Sequence, residues 1–223
     1  MGRMKVIACG YRNWSIDIFN TINNIDEIDL IIIKTPKLIL LDVINTIKPD
    51  VILFYGWSWI IPNEIINKYT CLCLHPSPLP KYRGGTPIQH QILAHEKTSV
   101  VSIFKMTEKL DAGPICFQEE FSLEGDISEI FNRIKEIGIK ATLMICEKLK
   151  NNELEFIDQP DETWPIYKRL TPEESEIKIS DFQKYNAIEI YNKIRMLTDF
   201  YPNAYVICKD GKKLRITECH IDD

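Results

Sequence analysis

The chain has 223 residues, 45% hydrophobic and 26% charged, the balance of a soluble globular protein rather than a disordered or collagen-like one. Its formal net charge of −5 argues against a protein held mainly by nucleic-acid phosphates. No apolar run reaches the roughly 18 residues that a membrane span needs; the longest, Val51 to Ile61, has strand length and contains Gly56 and Ser58. Met1 to Lys5 lead into a short apolar run with no small-residue cleavage site, so no signal peptide is expected. Seven scattered cysteines, with no Cys-x-x-Cys, fit reduced thiols better than a disulfide framework or a zinc site. The expectation is a soluble, cytoplasmic α/β protein without a metal.

Short β-branched runs alternate with helical patterns along the first two thirds of the chain. Lys5–Gly10, Ile28–Lys34, Asp50–Gly56 and Cys71–His75 read as strands, the first three too continuous to be half exposed. Between them Trp14–Ile22, Lys37–Ile47 and Asn63–Tyr69 carry apolar residues at helical spacing, with Pro62 suited to a first turn. This alternation predicts a mostly parallel sheet with helices on both faces, a Rossmann-like core. Pro87–Glu96 reads as another helix, Ser99–Thr107 and Pro114–Leu123 as strands joined by a tight loop. A long helix is expected from Ser128 to about Asn151, capped by Asp126 or Ser128. Residues 151–179, with prolines at 160, 165 and 172, look irregular. A helix over Asn186–Thr198 then leads to a hairpin, Ala204–Lys209 and Lys212–Cys219 around Asp210-Gly211. The expected division is a catalytic core at 1–179 and a small helix-plus-hairpin tail at 180–223.

In an open α/β sheet, ligands bind beyond the carboxyl ends of the strands. Three loops fall there: Gly10 to Ser15, Tyr55 to Trp59, and His75 to Pro87. They bring an imidazole, basic groups and indoles to one edge. In the third loop, Pro76, Pro78 and Pro80 stiffen the chain, and Gly84-Gly85 permits close backbone approach to a ligand.

That loop reads His75-Pro76-Ser77-Pro78-Leu79-Pro80-Lys81-Tyr82-Arg83-Gly84 and resembles the His-Pro-Ser-Leu-Leu-Pro-x-Tyr-Arg-Gly motif of the 10-formyltetrahydrofolate-dependent formyltransferases. Thr86-Pro87-Ile88-Gln89 continues the likeness, and Leu110-Asp111-Ala112-Gly113-Pro114-Ile115 resembles a second family motif, 36 residues after His75. The resemblance covers roughly the first 180 residues and returns at Tyr201-Pro202-Asn203. It implies a formyltransferase using 10-formyltetrahydrofolate as cosubstrate, with Tyr55, Gly56, Trp57, Ser58, Trp59, Ile60, Asp111 and Gly113 about the cofactor. Moving a formyl group to an amine develops an oxyanion, which His75 can stabilise, while Asp111 favours the charged imidazole and helps remove the amine proton. The family carries Asn two residues before this His; here Cys73 stands there, a weaker donor on the same strand face. Cys73 is therefore grouped with His75 and Asp111 as catalytic. Its other readings are a core thiol, or the nucleophile of a Cys73/His75 acyl transferase or hydrolase.

Arg12, Ser77, Lys81, Tyr82, Arg83, Gly84 and Gly85 are expected to bind substrate, although Arg83 could instead brace the proline loop. For the acceptor, residues 180–223 hold seven basic and seven acidic side chains, a neutral tail that argues against tRNA. Gly10 to Ser15 match poorly the phosphate cradle of glycinamide ribonucleotide formyltransferases. The chain most resembles the sugar N-formyltransferases, whose core is followed by a short hairpin-containing tail often used in dimer formation, as from Tyr201 onward here; that resemblance implies a nucleotide-linked amino sugar as acceptor, with no nucleic acid, no membrane and a homodimer. Methionyl-tRNA or glycinamide ribonucleotide as acceptor, or a catalytically weak folate- or sugar-nucleotide-binding module, stand as alternatives.

Overall fold

The computed structural model describes residues 2–39, 41–161, 163–197 and 201–222. Leu40, within the expected second helix, and Thr198, at the end of the expected last one, lie outside these. In chain order the elements begin with strand β1 (Met4–Cys9), helix α1 (Asn13–Asn23) and strand β2 (Ile28–Ile33). Helix α2 (Leu41–Ile47), β3 (Val51–Tyr55), α3 (Asn63–Lys68), β4 (Cys71–Pro76), β5 (Arg83–Gly84) and α4 (Pro87–Leu93) follow. Then come β6 (Thr98–Lys105), β7 (Ile115–Ser122), α5 (Ile127–Lys150), β8 (Ile166–Tyr167), α6 (Asp181–Lys184) and α7 (Ala187–Arg195). The hairpin β9 (Ala204–Ile207) and β10 (Lys213–Ile216) ends the series.

The central sheet has the order β2-β1-β3-β4-β6-β7. Its first four strands are parallel; β6 runs antiparallel to β4, and β7 runs antiparallel to β6. The parallel strands are amphipathic in two directions. Val6, Ala8, Val51, Leu53 and Leu72 join the side chains of α1 and α5 on one face. Ile7, Cys9, Ile52, Phe54 and Cys71 join those of α2 and α3 on the other. This period-two division buries both faces of the sheet.

β2 departs from the expectation of continuous burial: Asp29 and Ile31 are exposed, because an edge strand has a neighbour on one side only. β6, by contrast, is an interior strand. It is buried along most of its length, since β4 and β7 flank it. The expected helix at 37–47 is a short 3-10 turn at Pro36–Leu38 followed by α2. Asp126 rather than Ser128 caps α5, accepting from the backbone of Ser128 and Glu129 while Glu129 reaches back to the Asp126 N–H. Ile190, Ile194, Met196, Leu197 and Ala204 belong to the same buried cluster as α1 and α5. No described helix is long and apolar enough to cross a membrane.

Candidate active site

The chain runs from β1 outward to β2 on one side, and from β3 to β4 on the other. The crevice therefore opens between the carboxyl ends of β1 and β3. A cavity of about 790 Å³ lies along this edge, reaching from Arg12 past the Gly56–Ile60 loop to His75 and Asp111. The described residues contain no group of three or more His, Cys, Asp or Glu side chains able to hold a metal ion.

At the end of β4, His75 is 6% exposed. Its Nε2 lies 2.9 Å from the Tyr82 carbonyl, which can only accept, so Nε2 carries a proton. The other ring nitrogen, Nδ1, faces Asp111 Oδ2 at 3.8 Å. The same carboxylate oxygen accepts the Gly84 N–H at 2.8 Å. Asp111 adopts φ 48°, a left-handed conformation that is costly for a non-glycine residue and must be held by its surroundings.

One side chain supplies much of that hold. Gln159 donates from Nε2 to the carbonyls of Asp111 at 3.0 Å and Gly113 at 2.8 Å, while its Oε1 accepts from Arg83 Nη2 at 2.6 Å. A single amide thus ties the Asp111 loop to the His75–Gly84 loop. Gln159 escaped the sequence reading because it lies in the irregular stretch after α5, brought alongside by an isolated bridge between Ile115 and Ile157. The proline loop is braced from below as well. Ser102 Oγ donates to the Ser77 carbonyl at 2.6 Å, and Gln91 Nε2 donates to the Pro76 carbonyl at 3.0 Å.

Cys73 lines the cavity beside His75, as the strand period requires. Burial, then the charge of Asp111, push its thiol well above the ordinary range, which keeps it protonated and opposes a nucleophilic role. Its Sγ makes only a 3.8 Å contact to the Leu74 carbonyl.

Gly56, Trp57, Ser58, Trp59 and Ile60 also line the cavity, with Arg12, Gly84 and Gly85. Trp57 and Trp59 meet edge to face at 4.8 Å, and the Trp57 Nε1 is buried without a hydrogen-bond partner. Six residues singled out from the sequence do not reach the cavity lining. Tyr55 is fully buried in the core and its hydroxyl pairs with Thr142 Oγ1 at 3.1 Å. Ser77 is buried and its hydroxyl donates to the Lys81 carbonyl. Lys81 lies over the Trp164 ring, the Tyr82 hydroxyl donates to Glu96, and Arg83 is turned to Gln159. Within this stretch Tyr82 takes φ 58°, a left-handed turn. Gly113 packs its Cα against the Lys105 carbonyl, where any Cβ would collide, so its part is structural.

Arg169, Gln89 and Tyr201 are cavity residues that the sequence reading did not assign to the site. The two-residue pairing of β5 with β8 brings Arg169 in, and the Leu170 N–H bonds Thr86 Oγ1 at 3.1 Å. Pairings this short leave no periodicity to read.

Residues 37–144 match the family model described as formyl transferase. A methionyl-tRNA formyltransferase of Sulfurihydrogenibium sp. is 32% identical over 191 residues, covering 82% of this chain and 60% of that protein. The chain thus spans less than two thirds of the length of the curated relatives it matches. Among solved structures, a methionyl-tRNA formyltransferase from Clostridium thermocellum superposes with TM-score 0.81 at 28% identity, covering 96% of this chain and 97% of that one. HypX from Aquifex aeolicus, in complex with tetrahydrofolic acid, shares the fold with TM-score 0.82 at 20% identity, over 97% of this chain and 38% of that one.

These likenesses overturn the expectation of a nucleotide-linked amino sugar as partner and of no nucleic acid. That expectation weighed the neutral charge of residues 180–223. The likeness to a methionyl-tRNA formyltransferase instead spans 82% of the chain.

Proposed function

We propose that the chain transfers a formyl group from 10-formyltetrahydrofolate to the amino group of an aminoacyl-tRNA, methionyl-tRNA being the acceptor in the names of its relatives. The observation that carries the reading is the His75–Asp111–Gly84 arrangement at the cavity floor. The family resemblance at His75–Gly84 and Leu110–Ile115 supports the folate donor. So do the apolar walls of Trp57, Phe104 and Met106 and the unpartnered Trp57 Nε1, which suit a flat heterocycle bearing hydrogen-bonding edges. The formyl donor supplies an activated carbonyl carbon, and every proton movement falls to the protein and the acceptor.

With Nε2–H committed to the Tyr82 carbonyl, Nδ1 is the working nitrogen of His75. In the neutral ring it accepts a proton. Once protonated it presents an N–H toward the oxygen on which negative charge develops, with Asp111 balancing the imidazolium. As the amine nitrogen bonds to the formyl carbon it loses a proton, which Asp111 or His75 takes. The bond from that carbon to the donor nitrogen then breaks, and the proton returns to the leaving nitrogen. Gln159 and Arg83 keep Asp111 within reach of Nδ1. Residues 1–179 hold this centre in the proposal, and the segment after 180 contributes Tyr201 to the cavity wall.

The test is incubation with methionyl-tRNA and 10-formyltetrahydrofolate, reading the formyl-methionyl ester by mass after mild hydrolysis. Formation that disappears in His75→Ala supports the reading. Folate binding without formylation of any aminoacyl-tRNA rejects the acceptor.

A further inference from the structure

We propose that Tyr82 and Glu96 are positioning residues for the reaction: together they hold the Tyr82 carbonyl on His75 and so decide which ring nitrogen is free to work. The inference rests on His75 acting as the proton acceptor described above. It gives a role to two side chains that do not reach the cavity lining.

The backbone from Tyr82 to Gly84 touches both members of the pair. The Tyr82 carbonyl accepts from His75 Nε2 at 2.9 Å, and the Gly84 N–H donates to Asp111 Oδ2 at 2.8 Å. One short segment therefore sets the 3.8 Å gap between His75 Nδ1 and Asp111. That gap is longer than a hydrogen bond, so Nδ1 stays available to a substrate.

The carbonyl has a competitor. A neutral imidazole carries a single N–H, and the carboxylate facing Nδ1 favours placing it there. With that tautomer Nδ1 could not take the amine proton. The Tyr82 carbonyl, which only accepts, draws the N–H to Nε2 instead. The direction of one carbonyl thus selects the working tautomer.

That direction has to be held. Tyr82 takes φ 58°, a left-handed backbone that a residue with a Cβ keeps only when its surroundings impose it. Two contacts of its side chain supply the hold. The Tyr82 hydroxyl donates to Glu96 Oε1 at 2.8 Å, and its ring stacks on Tyr167 at 5.2 Å. The Tyr167 carbonyl in turn accepts the Gly85 N–H at 2.8 Å, so one residue grips this stretch by ring and by backbone.

Glu96 is itself fixed just beyond α4, where its N–H donates to the Gln91 carbonyl at 3.0 Å. Gln91 Nε2 holds the Pro76 carbonyl at the other end of the proline loop. The end of α4 therefore pins both ends of that loop, and the exposed Glu96 does so from outside the cavity.

The test is nitrogen NMR of the histidine rings in the full chain, at a pH where they are neutral, with His75 assigned by its loss in His75→Gln. The wild type is expected to show the Nε2–H tautomer at His75. Tyr82→Phe keeps the ring and removes the tether; it and Glu96→Ala are each expected to move the tautomer ratio about fivefold toward Nδ1–H. Glu96→Gln retains an oxygen for the phenol and is expected to match the wild type. In formylation assays the two tether-less variants should lose about fivefold in kcat with both KM values unmoved. An Nδ1–H tautomer in the wild type overturns the inference. So do tether-less variants that keep the wild-type tautomer, whatever their kcat, because a merely structural role would not move it. A shifted tautomer with unchanged kcat overturns it as well. The tautomer is read without donor or acceptor, so failure to formylate methionyl-tRNA rejects the acceptor alone, and an unmoved tautomer rejects the positioning role alone.

Discussion

The two ends of the cavity are built on opposite terms. At the β4 end every polar group that matters is tied to protein. His75 Nε2 is bound to Tyr82, Asp111 to Gly84, and the Asp111 loop to Gln159 and through it to Arg83. At the β1–β3 end the polar groups wait: among the described residues Arg12 and Arg169 meet no carboxylate, and the Trp57 Nε1 has no hydrogen-bond partner. The contrast separates two physical tasks. Chemistry needs groups fixed before substrate arrives, because reorganisation at the moment of reaction is costly. Recognition needs groups whose hydrogen-bonding capacity the ligand itself completes.

Perturbing each end should therefore give a different kinetic signature. The largest effect is expected at His75: removing the imidazole in His75→Ala lowers kcat about 10³-fold in steady-state assays with saturating substrates. Asp111→Asn retains an oxygen for the Gly84 N–H but loses the charge facing Nδ1, and is expected to cost about 10²-fold in kcat. Gln159→Ala touches no substrate and frees only the Asp111 loop. A fall in kcat of about tenfold, with both KM values unmoved, marks it as a positioning residue. An equal loss in Tm-matched, purely destabilised variants would deny it that role. At Cys73 the expectations divide: Cys73→Ala stays within about twofold of wild type, and Cys73→Asn raises kcat by supplying a proper donor. A collapse in Cys73→Ala would restore the nucleophile that its raised thiol pKa opposes.

The smallest effect concerns buried thiols in the sheet and in α5. Burial raises the thiols of Cys71 and Cys116 to about 12 and that of Cys146 to about 11. Their neutral forms are favoured in the folded chain. The stability they contribute is therefore fully present below the unfolded thiol pKa near 9 and is lost as pH climbs toward 12. Tm should accordingly fall over that interval, and less steeply in Cys146→Ala; an unchanged slope would speak against the thiol origin.

Much of this arrangement was legible in the residues. The alternation of apolar runs placed β1 to β4, and the resemblance to two family motifs paired His75 with Asp111, side chains that the fold joins at 3.8 Å. What escaped was decided by contacts between distant residues. Gln159 and Arg169 lie in a stretch without periodicity, and only a single bridge and a two-residue pairing carry them to the cavity. The family resemblance implies a cofactor contact for Tyr55. The strand alternation instead sends it inward to Thr142. Lys81, Tyr82 and Arg83 lie within the motif, yet their side chains turn to Trp164, Glu96 and Gln159. Net charge misled on the acceptor, because a whole-chain sum says little about one cavity wall where, among the described residues, Arg12 and Arg169 meet no carboxylate.

The division of labour between the two ends is tested most directly by initial-rate kinetics on Gln159→Ala and Arg12→Gln, measured side by side with methionyl-tRNA and 10-formyltetrahydrofolate. The structure predicts that the first lowers kcat and leaves the acceptor KM alone, while the second raises the acceptor KM and leaves kcat and the folate KM alone. Both variants losing kcat alike, or Arg12→Gln raising the folate KM instead, would contradict it.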